Sequence, residues 1–142
     1  MFEALLCPTD GSDGATRILD LATEHGATVH LLSAADIDAE CLTGGRTDVA
    51  AEIESRARAV VSEAARRAEA RGVDFVTTVE RAAPVDAIIE HAEAAEIDPI
   101  AMPTHGRTGI DRYRLGSVTE TLLRTSSVPV LTVRESERPD GE

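Results

Sequence analysis

The residues of this chain best suited to chemistry are glycines and hydroxyls gathered in one stretch. It reads Pro103-Thr104-His105-Gly106-Arg107-Thr108-Gly109, then Ile110 to Leu115, then Gly116-Ser117-Val118-Thr119-Glu120. A short apolar run, Ile100-Ala101-Met102, precedes it, and Val118 to Thr125 reads as a helix. Glycines let backbone N–H groups approach an anion with no Cβ in the way, and a helix N-terminus adds positive dipole. The chemistry implied is the holding of a phosphate or a similar oxyanion. A purely structural reading fits the same residues, because Ser117-Val118-Thr119-Glu120 matches a capping box that satisfies the helix's own N–H groups. The two are compatible, since a capping hydroxyl keeps a proton to donate to a ligand oxygen.

A second turn of the same character, Pro8-Thr9-Asp10-Gly11-Ser12, follows the first apolar run of the chain. His105, beside Gly106, has no acid partner at a recognisable spacing and reads as a polar loop contact. Arg107, Arg112 and Arg114 have the charge to neutralise phosphates, but on an acidic protein they serve equally to pair with carboxylates. No Ser/His/Asp or Cys/His constellation is legible. Cys7 reads as a small buried hydrophobe, and with Cys41 it makes neither a disulfide framework nor a metal quartet. The four histidines show no ligand spacing, so no metal site is expected.

Composition narrows the classes further. With 26 acidic residues against 14 basic ones the net charge is -12, and every basic residue is arginine. Such a chain would be repelled by nucleic acid and by anionic membrane, so neither is expected as a partner. Without lysine there is no Walker-type phosphate lysine and no Schiff-base lysine. No apolar run reaches the length of a membrane span, and no basic region precedes a hydrophobic stretch at the N-terminus, so a cytoplasmic location is expected. The acidic, lysine-free surface points to a very salty cytoplasm, or simply to a GC-rich genome that favours arginine.

The elements that must position the two turns follow from periodicity. Apolar strands are expected at Phe2–Pro8, Thr28–Ala34, Val73–Val79, Asp98–Met102 and Val128–Val133. Between the first two lies a helix capped at Ser12 or Asp13 and stopped at His25-Gly26. Asp36 to Asp48 reads as a loop, and Val49 to Arg71 as the longest helix. Its expected apolar face is Val49, Ile53, Ala57, Val60, Ala64 and Ala68. Glu52–Arg56, Glu54–Arg58 and Glu63–Arg67 are spaced as ion pairs four residues apart on its solvated side. A further helix starts at Pro84 and buries Val85, Ile88, Ile89 and Ala92. At 142 residues the chain is one α/β domain, expected at 1–134 with a charged tail at 135–142. Strands alternating with helices demand a doubly wound, five-stranded parallel sheet with helices on both faces and strands buried on both sides. If the first and fourth strands are neighbours at the reversal of winding, the two glycine- and hydroxyl-rich turns face one crevice.

At Leu5-Leu6-Cys7-Pro8-Thr9-Asp10-Gly11-Ser12, Gly116-Ser117-Val118-Thr119-Glu120 and Ser127-Val128-Pro129-Val130-Leu131-Thr132-Val133, the chain resembles the universal stress protein family. The resemblance runs over nearly the whole length. It implies a Rossmann-like fold of the adenine nucleotide alpha hydrolase type. The ATP-binding branch of that family carries glycine, two residues, glycine, nine residues, then Gly-Ser or Gly-Thr. Here Gly106, the nine residues Arg107 to Leu115, and Gly116-Ser117 keep the second half of that spacing. The resemblance implies that Asp10 reaches the nucleoside, that Ala34 and Met102 border the base, and that Gly106, Gly116, Ser117, Val118 and Thr119 hold ribose and phosphates. Pro8, Thr9, Pro103, His105 and Arg107 complete the expected lining. Pro103 stands where the branch has its first glycine, and a proline has no N–H to offer. Ala34 is smaller than the valine typical of that wall, which loosens the grip on adenine.

The expected function is an adenine-nucleotide-binding regulatory module, taking ATP or AMP (with Mg²⁺ beside Asp10 in the case of ATP) and turning it over slowly if at all. A homodimer through the last strand, Val128–Val133, is expected because an unpaired apolar edge invites a mate. Two other readings stand beside it: a nucleotide-free dimerisation protein with a degenerate pocket, and a slow ATPase.

Overall fold

The computed structural model describes residues 3–9, 15–37, 47–97, 99–104 and 117–134, and the statements below concern these. Five strands, β1 (Ala4–Pro8), β2 (Thr28–Ala34), β3 (Phe75–Glu80), β4 (Ile100–Thr104) and β5 (Val130–Arg134), form one sheet. Four helices connect them: α1 (Ala15–His25), α2 (Thr47–Ala70), α3 (Pro84–Ala95) and α4 (Ser117–Thr125). All strand pairs are parallel, in the order β3-β2-β1-β4-β5. Winding therefore runs outward from β1 to β3, returns to the far side of β1, and runs outward again through β4 and β5. The reversal falls between β1 and β4, as expected.

Strand alternation divides the core into two layers. Leu5 and Cys7 of β1 and Val29 and Leu31 of β2 face one side, under α1 (Ile18, Leu19, Ala22) and α2 (Val61, Ala64, Ala68). Leu6, Leu32, Ile100 and Met102 face the other, under α3 (Ala87, Ile88, Ala92) and α4 (Leu122). The central strand β1 is buried on both faces, with Leu5, Leu6 and Cys7 fully covered. The edge strands depart from that expectation. Val76 and Thr77 of β3 and Thr132 of β5 are exposed, because no further strand flanks them and the helices sit over the centre.

Helix limits follow local chemistry. Gly26 and Gly72 adopt positive φ just beyond α1 and α2, where a side chain would be strained. Pro84 opens α3 without a side-chain cap, and Glu96 closes it at φ 55°, its N–H donating to the carbonyl of Ala92. The apolar stripe of α2 differs from expectation. Val61 and Ala50 are buried with Ala57, Ala64 and Ala68, whereas Val49, Ile53 and Val60 are half-buried. Four alanines and Val61 thus form the face toward the sheet, flanked by Val49, Ile53 and Val60. All three expected ion pairs form on the outer side, Glu54–Arg58 at 2.7 Å, Glu63–Arg67 at 3.7 Å and Glu52–Arg56 at 3.8 Å. Glu54 also takes Arg81, whose Nε and Nη2 donate to its Oε1 at 3.0 and 2.5 Å. That long-range pair ties the end of β3 to α2 and holds the Glu54 carboxyl below its usual range, Arg81 first and Arg58 second.

Candidate nucleotide site at the reversal of the sheet

The winding splits between β1 and β4, and of the expected residues Pro8, Thr9, Ala34, Met102, Pro103 and the first turn of α4 are described at the carboxyl ends of the strands there. β1 and β4 are in register at Leu6 and Ile100, with the Leu6 N–H donating to the Pro99 carbonyl at 3.1 Å. Two residues further along, Pro8 and Met102 come level. Pro8 and Thr9 are half-buried at the end of β1, and the Thr9 N–H donates to the Leu32 carbonyl at 2.8 Å, which pins the exit of the strand against β2. Ala34 closes β2 on the same edge, paired in register with Glu80.

Met102, Ala34 and Val118 share one apolar layer. Met102 is 7% exposed within it, while Ala34 and Val118 pack against it half-buried. Thr119, in the first turn of α4, is buried at 3% exposure. The helix is regular from Ser117, one residue before the start expected for it, so Ser117 opens the first turn of α4. Its side chain, and all of Asp10, His105, Gly106, Arg107 and Gly116, lie outside the described residues. The phosphate-loop half of the expectation is therefore carried by sequence alone.

Pro103 is placed differently from expectation. The fourth strand extends beyond Met102 to Thr104, so Pro103 is a strand residue paired in register with Val133 of β5. In a parallel strand the backbone groups of alternate residues face alternate neighbours. The Ile100 N–H donates to the Pro129 carbonyl on the β5 side, while the Pro99 carbonyl faces β1. Position 103 shares the orientation of position 99, so the N–H that proline lacks falls on the β1 side. A proline there leaves the β4–β5 ladder intact, and the missing donor faces the split.

The thiol of Cys7 is fully buried, and burial pushes it up to about 12, which removes it as a nucleophile. Among the described residues no group of three or more His, Cys, Asp or Glu side chains is placed to hold a metal ion. Among the described residues no helix is long and apolar enough to cross a membrane. Two of the histidines that look scattered in the sequence, His30 and His91, do meet in space, with ring centroids 6.4 Å apart. Sixty-one positions separate them, so no spacing rule finds the pair.

Comparison with known proteins agrees with this architecture. Over its full matched length the chain is 28% identical to a universal stress protein of Methanocaldococcus jannaschii, covering 97% of this chain and 85% of that one. It is also 28% identical to the universal stress protein YxiE of Bacillus subtilis, covering 94% and 100%. Among solved structures, a universal stress protein in complex with cAMP superposes with a TM-score of 0.67 at 27% identity, covering 95% of this chain and 98% of that one. The model of the universal stress protein family matches residues 1–134, and the chain belongs to that family.

Proposed function

We propose that this chain is an adenine-nucleotide-binding regulatory module, acting as a homodimer in the cytoplasm and holding its ligand without fast turnover. The observation that carries the reading is the meeting at one sheet edge of the end of β1, Ala34, Met102 and the first turn of α4, at the point where the winding reverses. The cAMP complex of a family member 27% identical to this chain supports it. Ala34 and Met102 supply an aliphatic wall for the base. Asp10 reaches the nucleoside, and Gly106, Gly116, Ser117, Val118 and Thr119 hold ribose and phosphates, with His105 and Arg107 beside them. With ATP, Mg²⁺ would offset phosphate charge near Asp10, a single carboxylate and hence a weak site. The absence of lysine weighs against phosphotransfer.

A second reading is favoured by one observation. The N–H missing at Pro103 lies on the side of the split, so a nucleotide-free dimerisation protein would keep the fold and lose the donor. Losing a hydrogen bond to a charged ligand costs about 1.5–3 kcal/mol, roughly ten- to a hundredfold in affinity. Calorimetry with ATP and AMP on wild type, Pro103→Gly and Gly116→Val separates the two. The module reading expects micromolar binding by wild type, tighter binding by Pro103→Gly, and none by Gly116→Val, whose branched side chain blocks the phosphate approach. No heat from wild type or from Pro103→Gly would leave the dimerisation reading in its place. The dimer itself rests on β5, an edge strand whose Val130, Leu131 and Val133 are only half-buried. Light scattering that returns the 15.1 kDa monomer mass in high salt would remove it.

A further inference from the structure

On the α3 side of the sheet, β2 presents His30, Leu32 and Ala34, by alternation with Val29, Leu31 and Ser33. His30 is flanked in register by Leu6 of β1 and Val76 of β3. Above it lies His91 of α3, its ring 6.4 Å away and tilted by 55°. Nδ1 of His91 in turn stands 3.5 Å from Oε2 of Glu80, the last residue of β3. The His91 side chain is 17% exposed and that of Glu80 36%, so the trio lines a seam between helix and sheet that water reaches from one side. That side is open because Val76 is 46% exposed.

We propose that His30, His91 and Glu80 form a proton-operated seam, in which a proton on His91 ties α3 to the sheet through Glu80, and protons on both His91 and His30 push helix and strand apart. A proton on His91 gives it and Glu80 opposite charge at 3.5 Å. A proton on each ring places like charges 6.4 Å apart in a half-buried space. Few other groups intervene. β1 offers His30 only Leu6, β3 offers Val76 and Glu80, and α3 offers His91, whose helical neighbour Glu90 points to solvent. Burial first, and then His91, lowers the pKa of His30 below 6.5.

The sign follows by linkage. A histidine harder to protonate in the folded chain costs nothing above its unfolded value of 6.5. As pH falls through that value the unfolded chain takes the proton and the folded chain does not, so stability drops, and the loss levels off below the folded value. A metal ion is a poorer fit. Two imidazoles on one tetrahedral zinc, with bonds of about 2.0–2.1 Å, would have ring centroids roughly 5 Å apart, closer than these.

Imidazole NMR of the full chain in EDTA, from pH 8 to 5, tests the proposal together with urea unfolding at pH 7.5 and 5.5. His30 is expected to titrate below the ordinary histidine value and to move upward in His91→Gln. Wild type is expected to lose more stability between the two pH values than His30→Gln does, and the α3 amides to lose exchange protection at the lower pH. A His30 midpoint indifferent to His91→Gln, or an equal acid loss in His30→Gln, overturns the seam. So does a rise in thermal midpoint on replacing EDTA with Zn²⁺ that His30→Gln abolishes, which would assign the pair to a metal. If His30→Gln does not fold, the wild-type and His91→Gln titrations decide alone.

Discussion

Truncating Leu122 to alanine tests how α4 is held. Leu122 is fully buried, in one cluster with Ile88 of α3 and Ile100 and Met102 of β4. Its neighbour Leu123 is 47% exposed. Leu→Ala at a fully buried site costs about 2.7–5 kcal/mol, the spread reflecting how far the cavity collapses. The upper half of that range is expected here, because strand backbone on one side and α3 on the other limit collapse. At about 2.1 cal/mol/K per residue, the unfolding entropy of 142 residues converts that upper half into a fall of about 13–17 °C in thermal midpoint. Leu123→Ala should stay within about 0.5 kcal/mol, as exposed sites do. Urea unfolding followed by circular dichroism measures both. A Leu122→Ala loss under about 1 kcal/mol, or one equalled by Leu123→Ala, would refute the packing argument. Because α4 begins at the candidate site, Leu122→Ala should also weaken nucleotide binding by a folded variant if the module reading holds.

Other outcomes follow from the charges and the core. Glu54, its carboxyl lowered first by Arg81 and then by Arg58, contributes stability that is present above the unfolded carboxyl value of 4.5 and lost as pH falls toward the folded one. Glu54→Gln should therefore flatten the acid limb of the stability curve, and an unchanged limb would show that the pairs do not persist in solution. With a net charge of -12, the thermal midpoint should climb with KCl as screening shortens from about 30 Å at 0.01 M to about 3 Å at 1 M. A midpoint indifferent to salt removes the high-salt reading. In a Cys41→Ser background, Cys7 should resist a thiol reagent at pH 8 until denaturant is added, given its burial and a pKa of about 12. Labelling of the native chain at the rate of a free thiol would contradict that burial.

What could be read from sequence was whatever leaves a periodic trace. β2 was legible to the residue, Thr28–Ala34, because a continuous apolar run sits between a helix-stopping glycine and an acidic loop. The ends of β4 and β5 were less so. Pro99 and Pro129 lack an N–H and act through their carbonyls, so pairing starts one residue later in each, while Pro103 does not end its strand. The stripe of α2 differs at Val60 because the buried face steps through Ala50, Ala57, Val61, Ala64 and Ala68, and of two adjacent valines spacing alone does not say which one faces the sheet. At the site, Ala34, Met102 and Val118 could be placed through the strands and helix that carry them. The loop residues Asp10, Gly106 and Gly116 answer to backbone geometry that has no period, and they lie outside the described residues. The seam at His30 and the Arg81–Glu54 pair were invisible, since each joins distant segments.

The reversal at β1 also governs the order in which the chain can assemble during synthesis. β1, β2 and β3 pair consecutively, so half the sheet can close as soon as Glu80 has emerged. Until Ile100 to Thr104 follow, the inner edge of β1 has no neighbour, although Leu6 and Leu32 can already be covered by α3, whose residues Pro84 to Ala95 emerge before β4. At translation rates of about 5–20 residues per second that interval lasts on the order of 1–5 s. The most apolar strand of the protein spends it as an open edge on the ribosome, and nascent chains on one message would be most prone to sticking together at that moment.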